Sequence, residues 1–145
     1  MTTSTTRWAS ALALLSLLAA GCSFGPPPSC GDEIGGIADA SLFDEHFNRM
    51  LLVSQTSGQP GPDGDNGVMF AQDEPLVIQT DAKFEVAIRA CVQPTSGQDE
   101  IPFDQTQTLP LGPGEFPIGT YSAGQYVVRV IVDNTLVKNF SFQTE

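Results

Sequence analysis

Tyr126-Val127-Val128-Arg129-Val130-Ile131-Val132, then Asp133-Asn134-Thr135, then Leu136-Val137-Lys138-Asn139-Phe140-Ser141-Phe142 is the stretch whose reading decides the fold. β-Branched and aromatic residues fill both arms, which suits a pleated, half-buried backbone. The Asp-Asn pair between them tolerates the positive φ that a tight hairpin turn demands. Period-two alternation puts Tyr126, Val128, Val130 and Val132 on one face, where Phe140 and Phe142 can meet them across a core. A lone hairpin is marginal in water, so this one needs further strands against its apolar face.

Working outward, the clearest partner is Lys83-Phe84-Glu85-Val86-Ala87-Ile88-Arg89-Ala90-Cys91-Val92. Phe84, Val86, Ile88, Ala90 and Val92 share one face, and Lys83, Glu85, Ala87, Arg89 and Cys91 share the other. Cys91 is therefore expected on the outer face, where a crossing N-terminal segment could reach it. Val68-Met69-Phe70 and Leu76-Val77-Ile78-Gln79 read as short strands, with Pro75 where a missing donor does little harm. Ile101–Phe103 and Gln105–Leu109 suggest a ragged edge, and Leu109 to Gly119, with three prolines and three glycines, reads as loop or corner. Phe43, Phe47 and Met50 fall at helical spacing, and Ser41 with Asp44 is similar to a capping box. One or two helical turns are expected near residues 39–49, giving way to a strand at Met50–Ser54. Gly58 to Gly67 is expected to be loop; its glycine triplets are far too few for a collagen helix.

The charge balance excludes one class of partner. Six Lys+Arg face seventeen Asp+Glu, a formal net of −11 over 145 residues. Such a surface repels a phosphate backbone, so no nucleic acid is expected as partner. The length allows one ordinary domain once the N-terminal segment is set aside.

That segment has its own logic. Arg7 precedes an apolar run from Trp8 to Leu18, and Ala19-Ala20-Gly21 supplies small residues, the pattern of a secretory signal too short to span a bilayer. Leu17-Leu18-Ala19-Ala20-Gly21-Cys22 resembles the lipobox of bacterial lipoproteins. It departs in carrying its favoured Leu four residues before the cysteine, with Ala19 at three. The resemblance implies cleavage before Cys22, a diacylglycerol thioether on its sulfur, and attachment to the cell envelope. With Ser23 next, it implies outer-membrane sorting in a Gram-negative host. Phe24-Gly25-Pro26-Pro27-Pro28-Ser29 reads as a stiff extended tether. The expected organisation is a signal peptide over 1–21, a lipidated Cys22 with its tether over 22–36, and a domain over 37–145.

With Cys22 assigned to lipid, Cys30 and Cys91 remain, an even number in an oxidising compartment. A Cys30–Cys91 disulfide is expected, closing a long loop; two free buried thiols are the alternative. No Cys-x-x-Cys pair offers a redox motif or a zinc knuckle.

Pro117-Ile118-Gly119-Thr120-Tyr121, the Val-rich strand Tyr126–Val132, its Asp133-Asn134 turn and Phe140-Ser141-Phe142 resemble the closing strands of immunoglobulin-like domains in bacterial envelope lipoproteins. Ser122–Gln125 are an insertion relative to that pattern. The resemblance implies an all-β fold, an immunoglobulin-like antiparallel β-sandwich, preceded by the cleaved signal helix. It carries no catalytic residues, because function on this fold lives in individual sites.

The catalytic inventory is thin. His46 is the only histidine, beside Asp44 and Glu45, and a solvated helical face accounts for it. No Gly-x-Ser-x-Gly elbow, phosphate loop or dinucleotide fingerprint is present. Asp63, Asp65 and Asn66 could offer oxygens to calcium, but Gly67 stands where an EF-hand would place another ligand, and a solvated turn competes. A carboxylate pair for glycoside hydrolysis has no motif behind it. The expectation is a non-enzymatic, cofactor-free lipoprotein, bound to the membrane through its lipid and to a protein partner at the envelope. A carbohydrate- or calcium-binding module on the cell surface is the alternative.

Overall fold

The computed structural model describes residues 36–96 and 101–145. Among them run a short helix and nine strands: α1 (Ala40–His46), β1 (Phe47–Ser54), β2 (Asp63–Gly64), β3 (Gly67–Phe70), β4 (Leu76–Ala82), β5 (Val86–Pro94), β6 (Phe103–Leu109), β7 (Gly112–Gly119), β8 (Gly124–Val132) and β9 (Thr135–Thr144). One sheet has the order β1-β4-β7 and the other β2-β3-β9-β8-β5-β6. The chain forms an all-β sandwich. Its β1-β4-β7 and β9-β8-β5 orders follow the two sheets of the immunoglobulin arrangement, with β6 added beside β5 as in the variable type. The expected antiparallel pattern has one departure, since β3 pairs parallel to β9.

The hairpin that opened the sequence reading forms as expected. Asp133 and Asn134 take φ of 46° and 61°, the two-residue turn whose twist matches the flanking strands. A bulge between Val130 and Ile131 shifts the register, so that Val128 faces Phe140 while Ile131 faces Leu136. Leu52, Ile78, Phe116 and Ile118 from one sheet close on Ile88, Val92, Val128 and Phe142 from the other. Each such side chain, removed from water, contributes about 1.5–3 kcal/mol.

Several elements differ from expectation, each for a local reason. Asp39, not Ser41, caps α1: its carboxylate accepts from the Leu42 N–H at 2.9 Å, and Ser41 lies inside the helix. The helix ends at His46, and Phe47 already belongs to β1. The strand expected from Lys83 starts at Val86. The Lys83 N–H is bonded to the His46 carbonyl at 2.8 Å, and Phe84, expected in the core, is 42% exposed. Gly112 to Gly119, expected as loop, is strand β7. It is an edge strand paired only to β4, so Pro113 and Pro117 need not donate on both sides. Part of the expected Gly58–Gly67 loop is ordered into β2, which pairs with β3.

Candidate functional site

The outer face of the larger sheet is where sequence and structure converge. Arg89, Cys91 and Gln93 alternate with the core-facing Ile88, Ala90 and Val92 along β5. Cys91 therefore lies on the outer face, as its spacing predicted, yet it is fully buried there. In register with it, across three adjacent strands, stand Arg129 on β8 and Asn139 on β9. Arg129 is only 2% exposed and Gln93 only 4%. A face that shields a guanidinium to this degree is covered, not open to water.

Part of the cover is the chain entering the domain. Ala38 packs on the small cluster of Cys91, Ile131 and Leu136. The Asp39 N–H donates to the Leu136 carbonyl at 2.8 Å, and Asn139 Nδ2 donates to the Gly36 carbonyl at 2.8 Å. Cys22 and Cys30 lie outside the described residues. The sequence reading singled out Cys91 but missed Arg129, Gln93 and Asn139. The available signal was a charged residue inside the Val-rich run Val128-Arg129-Val130.

Toward the other side of that face, Arg89 holds Asp104 on β6 through two parallel contacts, Nε to Oδ1 at 2.7 Å and Nη2 to Oδ2 at 2.6 Å. The paired hydrogen bonds hold the Asp104 carboxyl below its ordinary range and raise the Arg89 guanidinium. Both groups are partly exposed, so the pair is an edge clasp between β5 and β6 more than a reactive site.

One end of the sandwich carries a cleft of about 740 Å³, bordered by Pro94, Thr95, Thr120, Ser122, Gln125 and Tyr126. Its floor is built by tyrosines. Tyr121, at the corner between β7 and β8, donates its hydroxyl to the Ile118 carbonyl. This is the tyrosine corner of immunoglobulin-type sandwiches. Tyr126 donates to the Ser122 carbonyl at 3.0 Å, and Thr144 Oγ1 donates to the same carbonyl. The rings of Tyr121, Tyr126 and Phe142 pack within 5.3 Å of one another. Burial, then the neighbouring Tyr126, pushes the Tyr121 hydroxyl well above its ordinary pKa. Both hydroxyls bond to backbone and both rings are buried, so this corner holds the loops in place and presents no stacking platform.

The remaining candidates scatter. Asp63 and Gly64 form β2, and Asp65 and Asn66 are the exposed turn leading to β3. No group of three or more His, Cys, Asp or Glu among the described residues could hold a metal ion. His46, expected on a solvated face, is 7% exposed. Its Nδ1 bonds to the Leu42 carbonyl at 2.9 Å, and its ring lies 4.9 Å from that of Phe84. The strand that begins at Phe47 turns His46 toward the domain, which the helical pattern alone did not show.

No family model matches the chain, and no curated protein matches it significantly. Among solved structures it is similar to a putative lipoprotein from Bacillus anthracis, at 11% identity and a TM-score of 0.38, over 75% of this chain and 94% of that one. It is also similar to a β-D-glucoside glucohydrolase from Trichoderma reesei, at 10% identity and a TM-score of 0.37, over 68% of this chain but only 18% of that one. No helix among the described residues is long and apolar enough to cross a membrane.

Proposed function

We propose that this protein is a lipid-anchored lipoprotein of the cell envelope, whose immunoglobulin-like domain is a non-catalytic structural or protein-binding module. The observation that carries the reading is the run Leu17–Cys22, a lipobox-like end to a short apolar segment, followed within a few residues by the prolines of a tether. Membrane attachment then comes from acyl chains on Cys22. Cys30 and Cys91 form the disulfide of the oxidising compartment, and burial of Cys91 beneath the entering chain is compatible with that pairing. The domain needs no cofactor and takes its partner through exposed loops and edges rather than an enclosed pocket. In a Gram-negative host, Ser23 directs it to the outer membrane. A carbohydrate- or calcium-binding module on the cell surface, with calcium at Asp63, Asp65 and Asn66, is the alternative.

Intact mass of the protein purified from membranes of its native host tests the anchor. The expected mass corresponds to cleavage before Cys22 plus added acyl chains. A mature chain without acyl groups would defeat the lipoprotein reading.

A further inference from the structure

We propose that the open edge of β6 is a self-pairing surface, at which two copies of this chain join antiparallel about a twofold at Thr106 and continue the larger sheet from one copy into the next. This names a partner for the protein-binding module proposed above, and rests on that reading only in taking the partner to be a protein.

A sheet edge presents unpaired N–H and C=O groups and invites another strand unless it is guarded. The two sheets end on β1, β7, β2 and β6, and the first three are guarded. β7 carries Pro113 and Pro117, and its Glu115 carbonyl accepts from Gln107 Nε2 at 3.0 Å. β1 is broken by a register shift between Phe47 and Arg49, with Arg49 exposed beside it. Its last residue, Ser54, donates its N–H to the Gln59 carbonyl at 3.0 Å. β2 is only two residues long.

β6 has none of these devices. Its seven residues pair with β5 in unbroken register, from Phe103 opposite Val92 to Leu109 opposite Val86. It holds no proline, lysine or arginine. With a neighbour on one side only, every second residue aims its N–H and C=O outward. Residues 103–109 make no backbone hydrogen bond beyond that ladder among the described residues. Asp104, Gln105, Thr106 and Thr108 are exposed, and the charge of Asp104 is answered within the same copy by Arg89.

The order of side chains along the edge selects the occupant. Paired with itself about Thr106, the strand sets Thr106 opposite Thr106, Gln105 opposite Gln107, Asp104 opposite Thr108 and Phe103 opposite Leu109. The whole strand is used, and no acid meets an acid. Facing threonines stabilise an antiparallel pair, and facing amides each offer a donor and an acceptor. The force that opposes pairing is the net charge of −11 on each copy, which salt screens. One edge pair lies at the small end of protein interfaces, so the dimer is a weak one.

The test uses the full chain expressed in its native host. After mild oxidation, Thr106→Cys is expected to give a disulfide-linked dimer on a non-reducing gel, because the two Cα atoms lie about 5 Å apart. Thr108→Cys, exposed on the same strand, is expected to stay at the background of the unaltered chain. Its two copies lie four residues apart along the pair, about 13 Å, too far to bridge. For the purified chain, sedimentation is expected to show a dimer share that rises about twofold or more as salt increases from roughly 0.05 to 0.5 M. Thr106→Lys and Thr106→Glu each set like charges opposite one another and are expected to be folded monomers, while an equal mixture of the two dimerises again. Crosslinking of neither cysteine variant or of both alike, a monomer at every salt concentration, or a mixture that stays monomeric would overturn self-pairing. Such a result leaves the domain open to a different protein at the envelope, and acylation of Cys22 is read separately by mass, so the two proposals fail separately.

Discussion

Tyr121 shows how much a single side chain can settle. Its hydroxyl spans from the β7–β8 corner back to Ile118, and its ring lies 5% exposed beneath Tyr126 and Phe142. Tyr121→Phe strands a buried carbonyl and is expected to cost about 1–2 kcal/mol in urea denaturation, without changing the slope. The same residue gives the alkaline limit. Its folded pKa is raised, so its contribution is complete below the unfolded value near 10 and lost as pH rises beyond it. Tyr121→Phe should flatten that alkaline loss in a melting series. Asp104 acts oppositely. Its folded pKa is lowered by Arg89, so its contribution is present above the unfolded value near 4 and is lost as pH falls through the folded one. Because the pair is partly exposed, Asp104→Asn should cost less than about 1 kcal/mol and remove that acid-side slope.

At the scale of elements, the parallel β3–β9 pairing depends on one glycine. Gly67 has a φ of +111°, and a Cβ there would lie 2.1 Å from the Ser141 carbonyl oxygen. Both the conformation and the space exclude a side chain. Gly67→Ala is expected to cost at least about 2 kcal/mol. Faster amide exchange should appear in β3 and the facing half of β9, while β5 and β8 stay protected. The β8–β9 turn is robust by comparison, because Asp133 and Asn134 already occupy the left-handed region, where short polar side chains are tolerated.

For the molecule as a whole, the two sheets share one core, and loss at its centre should be felt everywhere. Ile88 is fully buried among residues of both sheets. Ile88→Ala is expected to cost about 2–4 kcal/mol and to lower a single cooperative transition seen alike by fluorescence and far-ultraviolet circular dichroism. Two transitions would mean that the sheets unfold separately. The same unity explains why the acidic surface is tolerated. The apolar interior supplies the stability, and the net charge of −11 acts on solubility more than on fold.

What the sequence determined by itself is what local rules control. Alternation over Tyr126–Val132 and Phe140–Phe142 specified a hairpin and its core face, because a one-residue slip would have exposed every valine. The Asp-Asn pair specified the turn, and the outward position of Cys91 followed from period two. Tertiary structure decided the rest. Pro113 and Pro117 made residues 112–119 read as loop, and only their place on a sheet edge makes a strand of them. His46 read as solvated until the strand after it turned inward. Arg129 falls between core-facing valines, and alternation alone gave it no role. Chain distant in sequence covers part of the face it shares with Cys91, through Ala38 and Gly36, and no local pattern carries that information.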